Sequence, residues 1–247
     1  NDSIEKVLKD ANIDFVKIGE VLEEGTLTVK HNRVKMGLNI SSLRDTWFKT
    51  SYLLDNKQTA KGLAKERFEN YKQQPLTYKF PKKFDGDLAP FDSAQGPRPK
   101  AAILREKGSN SEREMANAMY LAGFDVMDVH MTALIFGRET LENIQFIGTV
   151  GGFSNSDVLG SAKGWAGAFK YNEKANMALK KFFARPDTLS VGICNGCQLF
   201  MELELIHPEL EAHGKMTYNN SGKHESKFGS VTIQKNHSVM LSSLAGS

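Results

Sequence analysis

Cysteine is almost absent from this 247-residue chain: the two that occur, Cys194 and Cys197, stand as C-x-x-C. Two thiols cannot staple a chain of this length, so a disulfide framework is excluded and a reducing, cytosolic setting is expected. No apolar run approaches the ~18 residues of a membrane helix. No charged-then-apolar leader with a cleavage site opens the chain, so secretion is not expected. Proline (7) and glycine (21) are too few for a fibrous or disordered chain. An excess of one charge is missing too. Lys and Arg number 32 against 29 Asp and Glu, a net charge of +3, short of what a dedicated nucleic-acid binder carries. No membrane and no nucleic-acid partner is therefore expected. What is present is the 40% apolar and 25% charged balance of a protein with a hydrophobic core. The length allows roughly two domains at ~100–200 residues each. The first residue is Asn1 rather than Met, which suggests a piece of a longer chain.

Three blocks follow in order. Residues 1–42 read as a small α/β piece. Ser3 is placed to cap a helix carrying Ile4, Val7, Leu8 and Ala11. Phe15 to Ile18 is a strand candidate, and 25–30 with 33–36 reads as a hairpin around His31-Asn32. Residues 43–99 form a linker, helical and polar to about 80. From Pro75 to Pro99 it is punctuated by proline and glycine without periodicity. From Lys100 to the end the pattern is strand–helix alternation. Strands are expected at 101–104, 124–129, 146–150 and 189–193, with a further one at 228–233. Helices are expected after Ser111, over 172–184 and over 195–203, the first opened by a capping box of Ser111 and Glu114. Alternation with short loops predicts an α/β fold with a doubly wound, mainly parallel sheet.

The chemistry-bearing motif is Gly192-Ile193-Cys194-Asn195-Gly196, between a strand and a helix. A nucleophile on such an elbow needs small residues two positions either side, because the turn is tight and strained. The turn lifts the thiol above the carboxyl ends of the strands, and the helix N-terminus favours the thiolate. The Asn195 amide is placed to stabilise an oxyanion. Gly151-Gly152-Phe153-Ser154, after another buried strand, offers a second backbone donor. Cys194 and Cys197 also permit a thioredoxin-type redox pair. Zinc has no second cysteine pair to complete it. A cysteine nucleophile calls for a histidine base oriented by a carboxylate. The histidines available are His31, His130, His207, His213, His224 and His237. His207-Pro208-Glu209 reads as a surface turn, and His224-Glu225 lies in a polar turn.

Three motifs in order resemble the class I (triad) glutamine amidotransferase domain. They are Leu104-Arg105-Glu106-x-Gly108-x-Asn110-Ser111, Gly151-Gly152-Phe153-Ser154-x-x-Asp157-Val158-Leu159-Gly160 and Gly192-x-Cys194-Asn195-Gly196-Cys197-Gln198. The form they resemble is the C-terminal domain of the large single-chain phosphoribosylformylglycinamidine synthases. Asn219-x-Ser221 with Glu225 and Phe228 is similar to that family as well, and 43–52 resembles the tail of its synthetase domain. The resemblance implies a glutaminase in which Cys194 attacks the side-chain amide of glutamine. Backbone amides of Gly152 and Asn195 would form the oxyanion hole, and Phe153 and Gln198 would line the glutamine pocket. The ammonia would go to upstream synthetase domains of the same polypeptide, which use ATP and magnesium to make formylglycinamidine ribonucleotide in purine biosynthesis. No cofactor or metal is expected in residues 1–247 themselves. The family's base and its acid form a His-x-Glu near the C-terminus, for which no counterpart occurs here. The expectation is a domain incomplete at its C-terminus and inactive alone. A cysteine hydrolase of another class, or a non-catalytic docking piece, are the alternatives.

Overall fold

The computed structural model describes residues 2–70, 78–80, 86, 96–227 and 229–246. Most of the proline-rich stretch expected as a linker, and Phe228, lie outside them. The chain divides into two compact units.

The first unit holds the described residues within 1–77 and 219–229. Helix α1 (Asp2–Asp10) begins before Ser3, so Ser3 is inside the helix rather than its cap. The segment around Phe15–Ile18 is not a strand: among the described residues no strand pairs with it, and Val16 and Ile18 are exposed. The hairpin forms as β1 (Thr26–His31) and β2 (Val34–Asn39), antiparallel, with Leu27 opposite Leu38 and Val29 opposite Met36. These apolar residues share one face by the two-residue period of a strand, and Leu27, Val29 and Met36 remain exposed. Asn39 caps α2 (Ile40–Gln58), its side chain accepting from the Ser42 amide at 2.9 Å. Helix α3 (Leu63–Asn70) follows. Asp55 of α2 receives Arg67 of α3 at 2.7 Å and Lys223, and Arg67 also meets Glu225 at 2.8 Å. Burial raises the Asp55 carboxyl, but hydrogen bonds from Lys223 and Thr59 and the nearby Arg67 charge outweigh it and hold it below its usual range.

The second unit holds the described residues within 78–218 and 230–247. It is built on four parallel strands, β3 (Lys100–Arg105), β5 (Asp125–His130), β6 (Phe146–Thr149) and β8 (Leu189–Gly192), in the order β5-β3-β6-β8. Ala101 and Ile103 face one side, Ala102 and Leu104 the other, and all are buried. A strand buried on both faces has no polar side to show, which is why 101–104 reads as a continuous apolar run. One face carries α4 (Glu112–Leu121) through Met115 and Met119. The other carries α5 (Met131–Phe136), α6 (Lys163–Lys170), α7 (Glu173–Phe183) and α8 (Asn195–Glu202), packed around Trp165, Phe169 and Phe182. Helices on both faces of a parallel sheet make the expected doubly wound architecture.

Local chemistry departs from expectation at two points. Ser111 does precede α4, but its φ of +75° puts it in the left-handed region, and its side chain makes no cap bond. An N-cap oxygen reaches the helix amides from extended backbone, so the capping box does not form. Asn110 Oδ1 accepts the Ser111 amide instead, at 2.8 Å. The residues at 229–233 form no strand. The order of the strands places the topological switch point between β3 and β6, and in open α/β sheets ligands bind outside the carboxyl ends there.

Candidate active site

Strand β8 ends at Gly192 and α8 begins at Asn195, so Cys194 occupies the turn. Its backbone is at φ +54°, ψ −111°, a region that an L-residue occupies only when its surroundings enforce it. The enforcement is legible in the two elbow glycines. A Cβ on Gly192 would lie 2.7 Å from the Gly196 carbonyl oxygen, and one on Gly196 would lie 2.3 Å from the Thr149 carbonyl oxygen. Both are shorter than any side chain tolerates, so the turn folds back onto its own helix and that helix sits on the end of β6. Gly196 N–H donates to Ile193 O at 2.9 Å and Gln198 N–H to Cys194 O at 3.1 Å. The Asn195 amide, in the first turn, has no intrahelical acceptor to satisfy.

The sulfur is exposed, and Cys197 one turn on is half-buried; both are free thiols. Gly151 lies against the nucleophile position: its Cβ, if it had one, would be 3.2 Å from Cys194 Cβ and 3.7 Å from the sulfur. Gly151 and Gly152 form β7 (Gly151–Gly152), paired antiparallel with β4 (Ser109–Asn110). Gly152 has φ +109°, and a side chain there would collide with Gly108 O and Asn110 N at 2.7 Å. The loop is thus held by its neighbours on both sides, the elbow and the turn after β3.

Asn195 joins the pieces. Its side chain is buried, its Oδ1 accepts the Ser154 amide at 3.3 Å, and its Nδ2 donates to Gln198 Oε1 at 2.9 Å. The structure therefore brings together Cys194, Asn195, Gln198 and the Gly151–Ser154 loop. Phe153 is anchored by its amide, which donates to Gly108 O at 2.8 Å, while the residue as a whole is 71% exposed. After it, Asn155, Ser156 and Asp157 are all left-handed, at φ +54°, +56° and +48°.

The histidines go elsewhere. Among the described residues none hydrogen-bonds to Cys194. His207 pairs with Glu209 at 3.1 Å on the surface, as its Pro-marked turn suggested. His213 lies 3.7 Å from Glu204, and His130 3.9 Å from Glu106. His31 is in the hairpin of the first unit, and His224 also belongs to that unit. His237 sits in the second unit outside its sheet and helices. Among the described residues no cluster of three His, Cys, Asp or Glu could hold a metal ion, and no helix is long and apolar enough to cross a membrane. Two side chains that shape this region are not evident from the sequence motifs: that of Asn195, where the motif points to the backbone amide, and that of Glu106. Their signal is position: Glu106 directly follows the buried strand β3, and Asn195 opens the helix after β8.

Residues 98–247 match the CobB/CobQ-like glutamine amidotransferase domain family. The chain belongs to this family. The elbow, the di-glycine loop and the turn after β3 all fall inside the matched part of this glutamine amidotransferase domain. The chain is 36% identical over 264 residues to human phosphoribosylformylglycinamidine synthase, covering 98% of the chain and 19% of that protein. It is 49% identical over 152 residues to a probable phosphoribosylformylglycinamidine synthase of Caenorhabditis elegans, covering 60% of the chain and 11% of that protein. The chain thus spans about a fifth or less of the length of these relatives. Among solved structures, PurLQS from Thermotoga maritima aligns with 44% of the chain and 46% of its own chain at 28% identity, with a TM-score of 0.37.

Proposed function

We propose that this amidotransferase domain is the glutaminase part of a phosphoribosylformylglycinamidine synthase, with Cys194 as nucleophile. The observation that carries the reading is the Cys194 elbow: an exposed thiol on a left-handed turn, pressed against Gly151 and opening helix α8. The Cys194 thiolate adds to the γ-amide carbon of glutamine and a C–S bond forms. Negative charge develops on the amide oxygen, within reach of the Gly152 and Asn195 amides, which act as the oxyanion donors. The tetrahedral species expels ammonia as the amide nitrogen takes a proton from solvent water, leaving a glutamyl thioester and hydroxide. Water then hydrolyses the thioester to glutamate and frees the thiol. Phe153 and Gln198 are the side chains proposed to border the glutamine.

Ammonia would serve synthetase domains of the same polypeptide, in the ATP-dependent amidation of formylglycinamide ribonucleotide. No step of the proposed glutaminase reaction passes through a metal or ATP. The two free thiols support a reducing, cytosolic setting for this work. No histidine of the same unit hydrogen-bonds to Cys194 among the described residues, in keeping with the reading that residues 1–247 alone turn glutamine over slowly or not at all.

The test is to treat the chain with the γ-ethyl thioester of glutamate at about pH 9, where an ordinary thiol of pKa ~8.5 is largely ionised without a base. A glutamyl adduct on Cys194, absent in Cys194→Ala and suppressed by glutamine, is the expected result. Equal labelling by acyl thioesters unrelated to glutamine would favour a cysteine hydrolase of another class. Rapid glutamine turnover by the chain would overturn the proposed lack of a base, and His224→Ala would be examined first.

A further inference from the structure

Glu106 is the first residue after β3, beside the switch point, and its side chain is only 9% exposed. A carboxylate so buried is costly unless its oxygens are used. One is: Glu106 Oε1 accepts the Lys107 amide at 2.7 Å. The backbone of the same residue closes a turn. Glu106 O accepts the Ser109 amide at 2.9 Å and the Ser109 hydroxyl at 2.7 Å. This turn is the surface on which the oxyanion loop rests. Lys107 O accepts the Asn155 amide at 2.9 Å, Gly108 O accepts the Phe153 amide at 2.8 Å, and Gly152 is pressed against Gly108 and Asn110.

His130 faces the carboxylate from the end of β5, the strand next to β3, its Nε2 3.9 Å from Glu106 Oε1. Its Nδ1 lies 3.2 Å from the Thr132 amide. Thr132 Oγ1 lies 3.1 Å from the same nitrogen, so Nδ1 is engaged by Thr132 and Nε2 is the ring nitrogen left facing Glu106. His130 stands three strands from the Cys194 elbow, about 14 Å at ~4.8 Å per strand. That is too far for a base, but the ring is well placed to orient Glu106.

We propose that Glu106 is a positioning residue: its buried carboxylate, oriented by His130, fixes the turn after β3 on which Gly152 is seated, and so aims the Gly152 amide at the oxygen of an acyl group on Cys194. The inference rests on the glutaminase reading. Glu106 touches no substrate; it acts through the loop.

The test compares two reactions of the same sulfur in the full chain at about pH 9. Exchange with glutamate γ-ethyl thioester passes through a tetrahedral oxyanion: the thiolate adds, the C–S bond forms, and ethanethiolate leaves. Alkylation by iodoacetamide displaces iodide and forms no oxyanion. Glu106→Ala should slow the exchange at least tenfold, in keeping with the 10²–10³ lost with a whole oxyanion donor, and leave alkylation within about twofold. Glu106→Gln keeps an oxygen acceptor for the Lys107 amide and should restore exchange to within about threefold of the parent chain. Exchange at the parent rate in Glu106→Ala overturns the proposal. So does a parallel fall of exchange and alkylation, or a Gln variant as slow as the Ala variant, since each marks general packing or another role. No exchange in the parent chain would overturn the glutaminase reading itself, whereas an active parent with insensitive variants rejects only the role of Glu106.

Discussion

Gly151 and Cys194 share a van der Waals surface: the space beside the Gly151 Cα that a methyl would fill ends 3.2 Å from Cys194 Cβ. Such a methyl is tighter than packed atoms normally sit, and the neighbour must yield. Gly151→Ala is therefore expected to slow iodoacetamide modification of Cys194 several-fold, at a stability cost of about 1 kcal/mol. Mass spectrometry of the alkylated chain gives the rate. Modification at the parent rate would show that the open side of the sulfur does not face the loop.

Gly196 meets backbone rather than a mobile side chain, with Thr149 O 2.3 Å from its added Cβ. Gly196→Ala must push α8 off the end of β6, and a loss of about 3 kcal/mol or more is expected. Trp165 is fully buried in the same unit and Trp47 is largely exposed in the other. Trp165 fluorescence in a urea titration, read in a Trp47→Phe background, reports the unit concerned.

Ser156 is non-glycine at φ +56°, between two other left-handed residues. Left-handed backbone costs an L-residue about 1–2 kcal/mol, and glycine returns part of that as chain entropy. Ser156→Gly should stabilise the second unit by about 0.5–1 kcal/mol. An unchanged or lowered urea midpoint would mean the Ser156 side chain holds the loop.

Asp55 carries a carboxyl held below its usual range although burial opposes this, with Lys223, Thr59 and Arg67 as the causes. A lowered folded value adds stability above the unfolded pKa of about 3.9 and loses it as pH falls through the folded value. Asp55→Asn should thus cost about 1.5–3 kcal/mol at neutral pH, and the difference should vanish in acid below the ordinary carboxylate range. Thermal melts across pH, read on the first unit through Trp47, test the sign. A difference that grows in acid would contradict it.

Much of the second unit could be read from residues alone. A strand buried on both faces advertises itself, as Ala101–Leu104 does, and glycine spacing around Cys194 marks a turn that only small neighbours permit. Helix α7 lies within the expected 172–184, and the structure supplies the reason: the Asn172 side chain caps it and Ala175, Leu179 and Phe182 are buried on one face. What failed depended on partners distant in sequence. Phe15–Ile18 has strand composition, but among the described residues no strand lies beside it. Ser111 has cap chemistry but the wrong φ, set by the β4–β7 pairing that Asn110 and Gly151 impose. For the candidate site, the sequence names Cys194, Asn195 and Gly152 as a list of groups, and the structure supplies how the loop and the elbow meet. That the Asn195 side chain ties the elbow to Ser154, and that Glu106 underlies the loop, depends on juxtaposing ends of different strands.

The glycine-lined seat of the thiol has a practical corollary for anyone redesigning it. Gly192, Gly196, Gly152 and Gly108 each meet main-chain atoms within 2.7 Å of an added carbon, so a saturation library would find those columns nearly empty whatever the selection. Variation beside the thiol has to enter through a position such as Phe153, which is 71% exposed, while the buried Asn195, bonded to Ser154 and Gln198, stays as the frame.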